Sequence, residues 1–172
     1  MIQALGGDPV DVLFQLIDAN NGSIPTIYFH HSENDMRYAL QQPFVSIGSD
    51  GTAVKTEGPL ARGNPHPRDY GTFPRVLGRF VREEKWLTLP EAIKKMTSLP
   101  AARLKLKDRG TIAVGMKADL MIFDPATIID RSTFEQPRLR PRGIYRVFVN
   151  GTPVWTGDSP ENERPGVVLL PR

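Results

Sequence analysis

Residues 26–51 read TIYFHHSENDMRYALQQPFVSIGSDG, and this stretch decides the predicted fold. Thr26–Phe29 and Phe44–Ile47 are short runs of β-forming residues without polar alternation, which is typical of strands covered on both faces. Between them, Ser32–Asp35 resembles a capping box and predicts a short helix that ends before Pro43. A strand, a helix and a strand with short connections predict two parallel strands and a right-handed crossover.

Helical signals flank this unit on both sides. Upstream, Asp8-Pro9 predicts a helix N-terminus, and the apolar residues that follow it fall at helical spacing: Val10, Leu13, Phe14 and Ile17. Downstream, residues 52–71 form a long loop without a regular pattern, and a helix is predicted to begin at Thr72. The capping box Thr88-x-x-Glu91 predicts the start of a further helix.

From about residue 110 the pattern changes to that of β-structure. Leu120–Phe123 is an apolar run that predicts a strand. Residues 145–156 predict a hairpin, because Asn150-Gly151 accommodates the positive φ angles of a type I′ turn. Val167–Leu170 predicts one more strand.

Composition excludes several classes of protein. The 172 residues carry a net charge of +3, and the basic residues are scattered, so the sequence does not predict a nucleic-acid-binding face. No apolar run approaches the roughly 18 residues that a membrane span needs. The absence of cysteine excludes disulfides and thiolate metal sites, and we expect a cytoplasmic location.

Asp50 is the strongest single candidate for a functional residue. It directly follows the second predicted strand, at the edge where α/β folds place catalytic groups, and Gly48 and Gly51 allow a ligand to approach closely. A carboxylate in this position accepts a proton from an attacking water or binds a divalent cation. The alternative is a Ser-Asp-Gly turn in which the aspartate bonds its own backbone.

Two further groups of candidates lie near predicted strand ends or in the long loop. His30 and His31 follow the first predicted strand, and since neighbouring side chains point to opposite sides, at most one faces a site; the alternative is a structural histidine. His66 and Arg68 lie in the loop, where an arginine offers a planar fork for a substrate carboxylate. The alternative for Arg68 is a surface ion pair with Asp69 or another acid. The histidine spacing matches no self-sufficient metal site.

Several motifs resemble one known family. Residues 48–51 (GSDG) and 66–79 (HPRDYGTFPRVLGR) closely resemble the D-aminoacylase, or N-acyl-D-amino-acid deacylase, branch of the amidohydrolase superfamily. The resemblance continues through residues 96–101, and through 109–120 and 149–151, which carry segments shared across the superfamily.

The resemblance implies an α/β fold that is the C-terminal part of a (β/α)8 barrel. Residues 1–109 would supply the last two strands and helices of the barrel, and residues 110–172 a returning segment of a small β-sandwich. The earlier strands of such a barrel have no counterpart here. We therefore expect the chain to associate with the missing barrel portion or with itself.

The resemblance also implies an activity, the zinc-dependent hydrolysis of the amide bond of N-acyl-D-amino acids, which are small molecules. It makes Asp50 the general base and an occasional metal ligand, Arg68 the group that holds the substrate α-carboxylate, and His66 a neighbour of the pocket. Most zinc ligands would lie outside this chain, so we expect the isolated chain to be inactive. Two alternatives remain: a cyclic-amide hydrolase similar to dihydroorotases and hydantoinases, and an inactive split subunit or remnant that binds a partner chain.

Overall fold

The computed structural model of the chain describes residues 5–24, 31–53, 55–59, 61, 63–157 and 159–169. The described residues through Glu33 form one compact unit, and those from Asn34 onward form a second. The predicted strand Thr26–Phe29 and the candidate His30 lie outside the described residues.

The first unit contains helix α1, Pro9–Ala19. The helix is confirmed at its predicted start, where the Asp8 carboxylate accepts a hydrogen bond from the Val10 N–H at 2.8 Å. Val12 is buried. The predicted apolar stripe is exposed, as its four members show: Val10, Leu13, Phe14 and Ile17. No described side chain covers the stripe, so helical spacing predicted the helix correctly but not the burial of this face.

Helix α2, Glu33–Gln41, matches the predicted short helix. The predicted strand Phe44–Ile47 is wrong, because this segment forms no ladder with any described segment. Its backbone bonds to Lys95 instead. The Ile47 N–H donates to the Lys95 carbonyl at 3.1 Å, and Lys95 Nζ donates to the Val45 carbonyl at 3.0 Å. A strand needs a neighbour, and the described residues provide none here, so the expected parallel sheet is not formed among them.

Helix α3, Arg68–Arg75, continues without a break into a π-helix, Val76–Glu83, called here the π segment. The helix therefore begins before Thr72, where the sequence had predicted its start. Pro74 lies inside it and has no N–H to donate to the preceding turn, and the wider turns of the π segment follow directly.

Helix α4, Leu89–Met96, is confirmed together with its capping box. The Thr88 N–H donates to Glu91 Oε2 at 2.8 Å, and the Glu91 N–H donates to Thr88 Oγ1 at 3.4 Å. Helix α5, Ser98–Arg103, follows. None of the helices in the described part of the chain has both the length and the apolar character needed to cross a membrane.

The sheet is antiparallel, and its strands lie in chain order. They are β1, Leu120–Phe123; β2, Ile144–Val149; β3, Thr152–Thr156; and β4, Ser159–Pro160. The predicted strand β1 and the predicted hairpin are confirmed. Asn150 and Gly151 have φ angles of 49° and 82°, as a type I′ turn requires. The strand predicted at Val167–Leu170 is wrong over residues 167–169, which lie in no strand, and Leu170 is outside the described residues.

The core joins the π segment to α4 and to the chain that follows β1. Its buried members are Val76, Leu77, Phe80, Trp86, Leu87, Ala92 and Ile128. The rings of Phe80 and Trp86 stack with 4.2 Å between centroids. Gly78 allows the close approach of the π segment to Ile128, because a Cβ at this position would lie 2.5 Å from the Ile128 carbonyl oxygen. This packing fixes the helix that begins at Arg68 against the β-rich part of the chain.

Candidate functional site

The structure brings Asp50 and Arg68 together. Arg68 Nη2 lies 3.1 Å from Asp50 Oδ2, and both side chains remain accessible to solvent. The alternative for Arg68, a surface ion pair with Asp69 or another acid, is thus met by Asp50 and not by Asp69. Asp69 Oδ1 instead accepts a hydrogen bond from the Thr52 N–H at 2.9 Å. A base candidate and a carboxylate-binding candidate are therefore direct neighbours.

The turn that carries Asp50 explains this contact. Gly51 lies against the start of α3, and a Cβ on it would come within 3.0 Å of Asp69 Oδ1. Ser49 Oγ, not the Asp50 carboxylate, accepts the Gly51 N–H at 3.1 Å. Asp50 has a left-handed φ of 48°, a conformation that few residues other than glycine adopt. The carboxylate thus remains free of the turn and reaches the guanidinium of Arg68.

His66 lies beside Arg68 in an uncharged form. Its Nδ1 accepts a hydrogen bond from the Arg68 N–H at 3.0 Å, which an imidazolium cannot do because both of its nitrogens carry protons. The pKa of His66 is lowered from the ordinary value of 6.5, mainly by loss of solvent around the ring and then by the charge of Arg68. The ring meets Phe134 edge to face, with 5.1 Å between centroids.

A cavity of about 300 Å³ adjoins these residues. Its first wall is the start of α3 and the loop before it, and its second wall is the segment 130–135. The described residues that line it are His66, Pro67, Arg68, Gly71, Thr72, Arg75, Asp130, Ser132, Thr133, Phe134 and Glu135. The second wall could not be predicted from the sequence, because no motif in 130–135 signals a site and its contact with α3 joins residues that are distant in sequence.

An ion pair joins the two walls. Arg75 Nε and Nη2 lie 2.8 Å and 2.6 Å from Asp130 Oδ2, and the Asp130 side chain is buried. Two further arginines of this helix, Arg79 and Arg82, also have partners. Arg79 pairs with Glu84, just after the π segment. Arg82 donates to the Ile128 carbonyl, because its side of the helix faces the segment that follows β1.

The described residues do not make up a metal centre. Among them, no three or more His, Asp or Glu side chains gather closely enough to hold an ion. Asp50 offers one exposed carboxylate, and its nearest charged neighbour is a guanidinium rather than another ligand. His31 is exposed in the first unit, and His30 lies outside the described residues.

A second polar cluster joins the segments 109–120 and 149–151. Arg109 forms an ion pair with Asp119 and donates from Nη2 to Asn150 Oδ1 at 2.6 Å, and the Asn150 N–H donates to Asp119 Oδ1 at 2.8 Å. Burial alone would raise the pKa of Asp119, but the hydrogen bonds from Asn150 and Arg109 and the Arg109 charge together lower it. Asn150 Nδ2 also donates to the Pro165 carbonyl at 2.7 Å. These bonds join segments that are distant in sequence, so this cluster stabilises the fold.

Comparison with known proteins gives consistent matches. A family model described as "Amidohydrolase family" matches residues 39–155. The N-acyl-D-glutamate deacylase of Alcaligenes xylosoxydans xylosoxydans is 45% identical over 143 residues, and the D-aminoacylase of the same organism is 44% identical over 143 residues. Each match covers 83% of this chain and 28% of the relative. The chain thus spans little more than a quarter of the length of these curated relatives.

A solved structure is also similar in fold. The N-acyl-D-glutamate deacylase from Bordetella bronchiseptica, solved with zinc and a phosphonate inhibitor that mimics the tetrahedral intermediate, is 38% identical with a TM-score of 0.76. The match covers 93% of this chain and 33% of that one. The fold of this chain is therefore similar to that of part of a larger protein.

Proposed function

Since this chain belongs to the amidohydrolase family, and within it to the D-aminoacylase branch, we propose that it forms part of an enzyme that hydrolyses the amide bond of N-acyl-D-amino acids. The observation that carries the proposal is the Asp50–Arg68 contact of 3.1 Å at the edge of a cavity. An enzyme acting on such a substrate needs a base near the amide and a cation for the carboxylate. These two residues supply both.

Asp50 is the proposed general base. Its carboxylate is exposed and not engaged by its own turn, so a water molecule can reach it. Asp50 takes a proton from the water that attacks the amide carbon and returns it to the leaving amine. Such proton transfer contributes about 10²–10⁴-fold to the rate.

Arg68 is the proposed carboxylate clamp. Its contact with Asp50 uses Nη2, and a guanidinium has further N–H donors that can bind a substrate carboxylate. Because the clamp and the base are adjacent, a bound α-carboxylate holds the neighbouring amide within reach of Asp50. His66, whose Nδ1 accepts the Arg68 N–H, would fix the backbone at the clamp.

Zinc is the proposed metal, and when bound it polarises the attacking water or the acyl oxygen. Asp50 is the one described residue that we propose as an occasional ligand, and the remaining ligands would come from residues that the described part of the chain does not contain. The chain by itself is then proposed to be inactive.

The larger architecture is proposed on the same basis. Residues 1–109 would belong to the last part of a (β/α)8 barrel and residues 110–172 to a β-sandwich segment. The exposed stripe of α1 supports association with the remaining barrel or with a second copy, because it is an apolar surface that no described residue covers. We propose the cytoplasm as the compartment, since the chain contains no cysteine and thus needs no oxidising environment.

A hybrid enzyme tests the function. The stretch of the Alcaligenes N-acyl-D-glutamate deacylase that this chain matches is replaced by this chain, and hydrolysis of N-acetyl-D-amino acids is measured with added zinc. We expect turnover by the hybrid and none by the isolated chain. Asp50→Asn should lower kcat by about 10²–10⁴-fold, whereas the matched control Asp108→Asn, which changes another exposed aspartate, should retain the full rate.

The outcomes separate the alternatives. A folded hybrid in which Asp50→Asn leaves kcat unchanged would refute Asp50 as the base. Preferential turnover of dihydroorotate or a hydantoin would favour the alternative that the enzyme is a cyclic-amide hydrolase. Turnover by the isolated 172-residue chain would refute the proposal that it is inactive alone.

A further inference from the structure

Two asparagines of the chain precede a glycine, in the pairs Asn21-Gly22 and Asn150-Gly151. Their backbones are nearly the same, because φ is 51° and 78° in the first pair and 49° and 82° in the second. Each glycine N–H also donates to a backbone carbonyl, that of Ile17 at 2.8 Å and that of Ala118 at 2.9 Å. A glycine has no Cβ to shield its nitrogen from the asparagine side chain before it. The two pairs therefore share one chemistry and differ in what surrounds the asparagine side chain.

The side chain of Asn150 is fixed at both ends of its amide. Arg109 Nη2 donates to Asn150 Oδ1 at 2.6 Å, and Asn150 Nδ2 donates to the Pro165 carbonyl at 2.7 Å. The first of these hydrogen bonds is charge-assisted and so belongs to the stronger kind. An attack by the Gly151 nitrogen makes Cγ of Asn150 tetrahedral and expels Nδ2. Both hydrogen bonds must therefore be broken or distorted before Asn150 can react.

The side chain of Asn21 lies exposed at the end of α1. No described residue binds its amide, whereas Nδ2 of the neighbouring Asn20 donates to the Leu16 carbonyl at 2.8 Å. The Gly22 N–H donates to the last turn of the helix, and helix ends open at little cost in free energy. A Cβ on Gly22 would meet nothing within 4 Å, so the turn is uncovered on that side. Asn21 is thus free to react with the nitrogen that follows it.

We propose that Asn21 is a site of spontaneous deamidation in the folded chain, and that the hydrogen bonds of the Asn150 side chain protect Asn150 from the same reaction. The Gly22 nitrogen attacks Cγ of Asn21 and gives up its proton, and the electron pair of the Cγ–Nδ2 bond leaves with ammonia. The product is a succinimide ring. Water then opens the ring at either carbonyl, which leaves aspartate or isoaspartate at this position. The reaction needs no enzyme, so it does not depend on the hydrolytic activity proposed above.

The product changes the C-terminal end of α1. A carboxylate replaces a neutral amide close to the last carbonyls of the helix, whose partial negative charge disfavours an anion. Asp18 already places one carboxylate in this last turn. In isoaspartate the backbone also runs through the former side chain, so it is longer and the Gly22 N–H is displaced from the Ile17 carbonyl. Deamidation therefore weakens the end of the helix that carries the exposed apolar stripe.

Peptide mapping by mass spectrometry tests the proposal on the full 172-residue chain. The folded chain is incubated in mildly alkaline buffer, and the converted fraction of each asparagine is followed over time. We expect Asn21 to react at least about tenfold faster than Asn150, since breaking a hydrogen bond to a charged group slows a reaction by about this factor or more. In concentrated urea, where neither side chain keeps a partner, the two rates should become similar.

Arg109→Met assigns the protection to a hydrogen bond. The variant removes the donor to Asn150 Oδ1, so deamidation of Asn150 should accelerate by about tenfold while that of Asn21 stays unchanged. Arg146→Met is the matched control, because Arg146 is an exposed arginine on β2, and both rates should stay the same. The comparison of the folded chain with the chain in urea needs no variant, so it decides the question even if Arg109→Met does not fold.

The outcomes test both halves of the proposal. Equal rates at Asn21 and Asn150 in the folded chain would overturn the difference between the two sites. A rate at Asn21 far below its rate in urea would overturn Asn21 as a deamidation site, because the folded end of α1 would then protect it as well. An unchanged rate at Asn150 in a folded Arg109→Met chain would show that the hydrogen bond from Arg109 does not protect Asn150.

Discussion

Arg68 Nη2 lies 3.1 Å from Asp50 Oδ2, across a loop that the sequence leaves without a regular pattern. Two local features produce this contact. Gly51 has no side chain, so the turn can lie against Asp69 at the start of α3. Ser49 Oγ accepts the Gly51 N–H, so the Asp50 carboxylate is not needed as an acceptor within the turn. Gly51 and Ser49, for which we propose no catalytic or substrate-binding role, therefore allow the contact between Asp50 and Arg68.

The first prediction concerns the kinetics of Arg68 variants in the hybrid enzyme. Arg68→Met removes the charge-assisted hydrogen bonds to the substrate carboxylate, and KM should rise by about 10–100-fold. Arg68→Lys should recover part of this loss, because it keeps the charge but not the planar fork. Steady-state kinetics with an N-acetyl-D-amino acid provide the measurement.

The matched control for Arg68 is Arg146→Met, which changes an exposed arginine on β2. Its KM should equal that of the hybrid. If Arg68→Met and Arg146→Met have the same KM, Arg68 does not bind the substrate carboxylate.

Local signals in the sequence predicted much of the fold. The capping box at Thr88 and Glu91 fixed the start of α4, because both hydrogen bonds lie within one turn. Asn150-Gly151 fixed the hairpin, because the positive φ angles are a property of these two residues. These elements depend on contacts close in sequence, and a reading of the sequence therefore finds them.

Features that depend on distant partners were predicted wrongly or missed. Phe44–Ile47 has the composition of a strand but bonds to Lys95, since no described strand lies beside it. The second wall of the cavity meets α3 through Asp130 and Arg75, which no local pattern connects. The closeness of Asp50 and Arg68 was expected from the family resemblance, not from the spacing of the two residues.

The second prediction concerns Lys95, which is buried and donates from Nζ to the carbonyls of Gln42 and Val45. Lys95→Met keeps the apolar stem but leaves these carbonyls without their donor. The free energy of unfolding should fall by about 2–3 kcal/mol, as measured by urea denaturation of the chain. Amide exchange at Ile47 should accelerate, because its hydrogen bond is made to the Lys95 carbonyl.

Lys94→Met is the matched control for Lys95, since the neighbouring Lys94 side chain is exposed. Its free energy of unfolding should stay within about 0.5 kcal/mol of the original. Equal losses in the two variants would mean that the Lys95 hydrogen bonds do not hold the segment before Asp50.

The third prediction concerns Gly78 in the π segment. A Cβ here would lie 2.5 Å from the Ile128 carbonyl oxygen and 2.5 Å from Ile129 Cδ1, so Gly78→Ala must separate the helix from the β-rich part. We expect a loss of about 1–3 kcal/mol in the free energy of unfolding. Gly166→Ala, where a Cβ meets nothing within 4 Å, should change it by less than about 0.5 kcal/mol. A neutral Gly78→Ala would contradict the described packing.

The fourth prediction concerns acid stability and Asp119. Its folded pKa lies below the ordinary 3.8, so its stabilising contribution is complete above that pH. As the pH falls below about 3.8, the unfolded chain takes up the proton first, and stability is lost until the folded pKa is reached. Asp119→Asn should therefore be less stable than the original chain at neutral pH, and the difference should shrink on acidification. Urea unfolding at a series of pH values measures it.

Arg109 provides the control for the Asp119 titration, because its hydrogen bond and charge help to lower that pKa. In an Arg109→Met background, replacing Asp119 with Asn should produce a smaller pH-dependent difference, since the carboxylate then keeps only the Asn150 N–H as a partner. An undiminished difference would show that Arg109 does not stabilise the ionised Asp119. The coupling between the segments 109–120 and 149–151 would then depend on the backbone hydrogen bond alone.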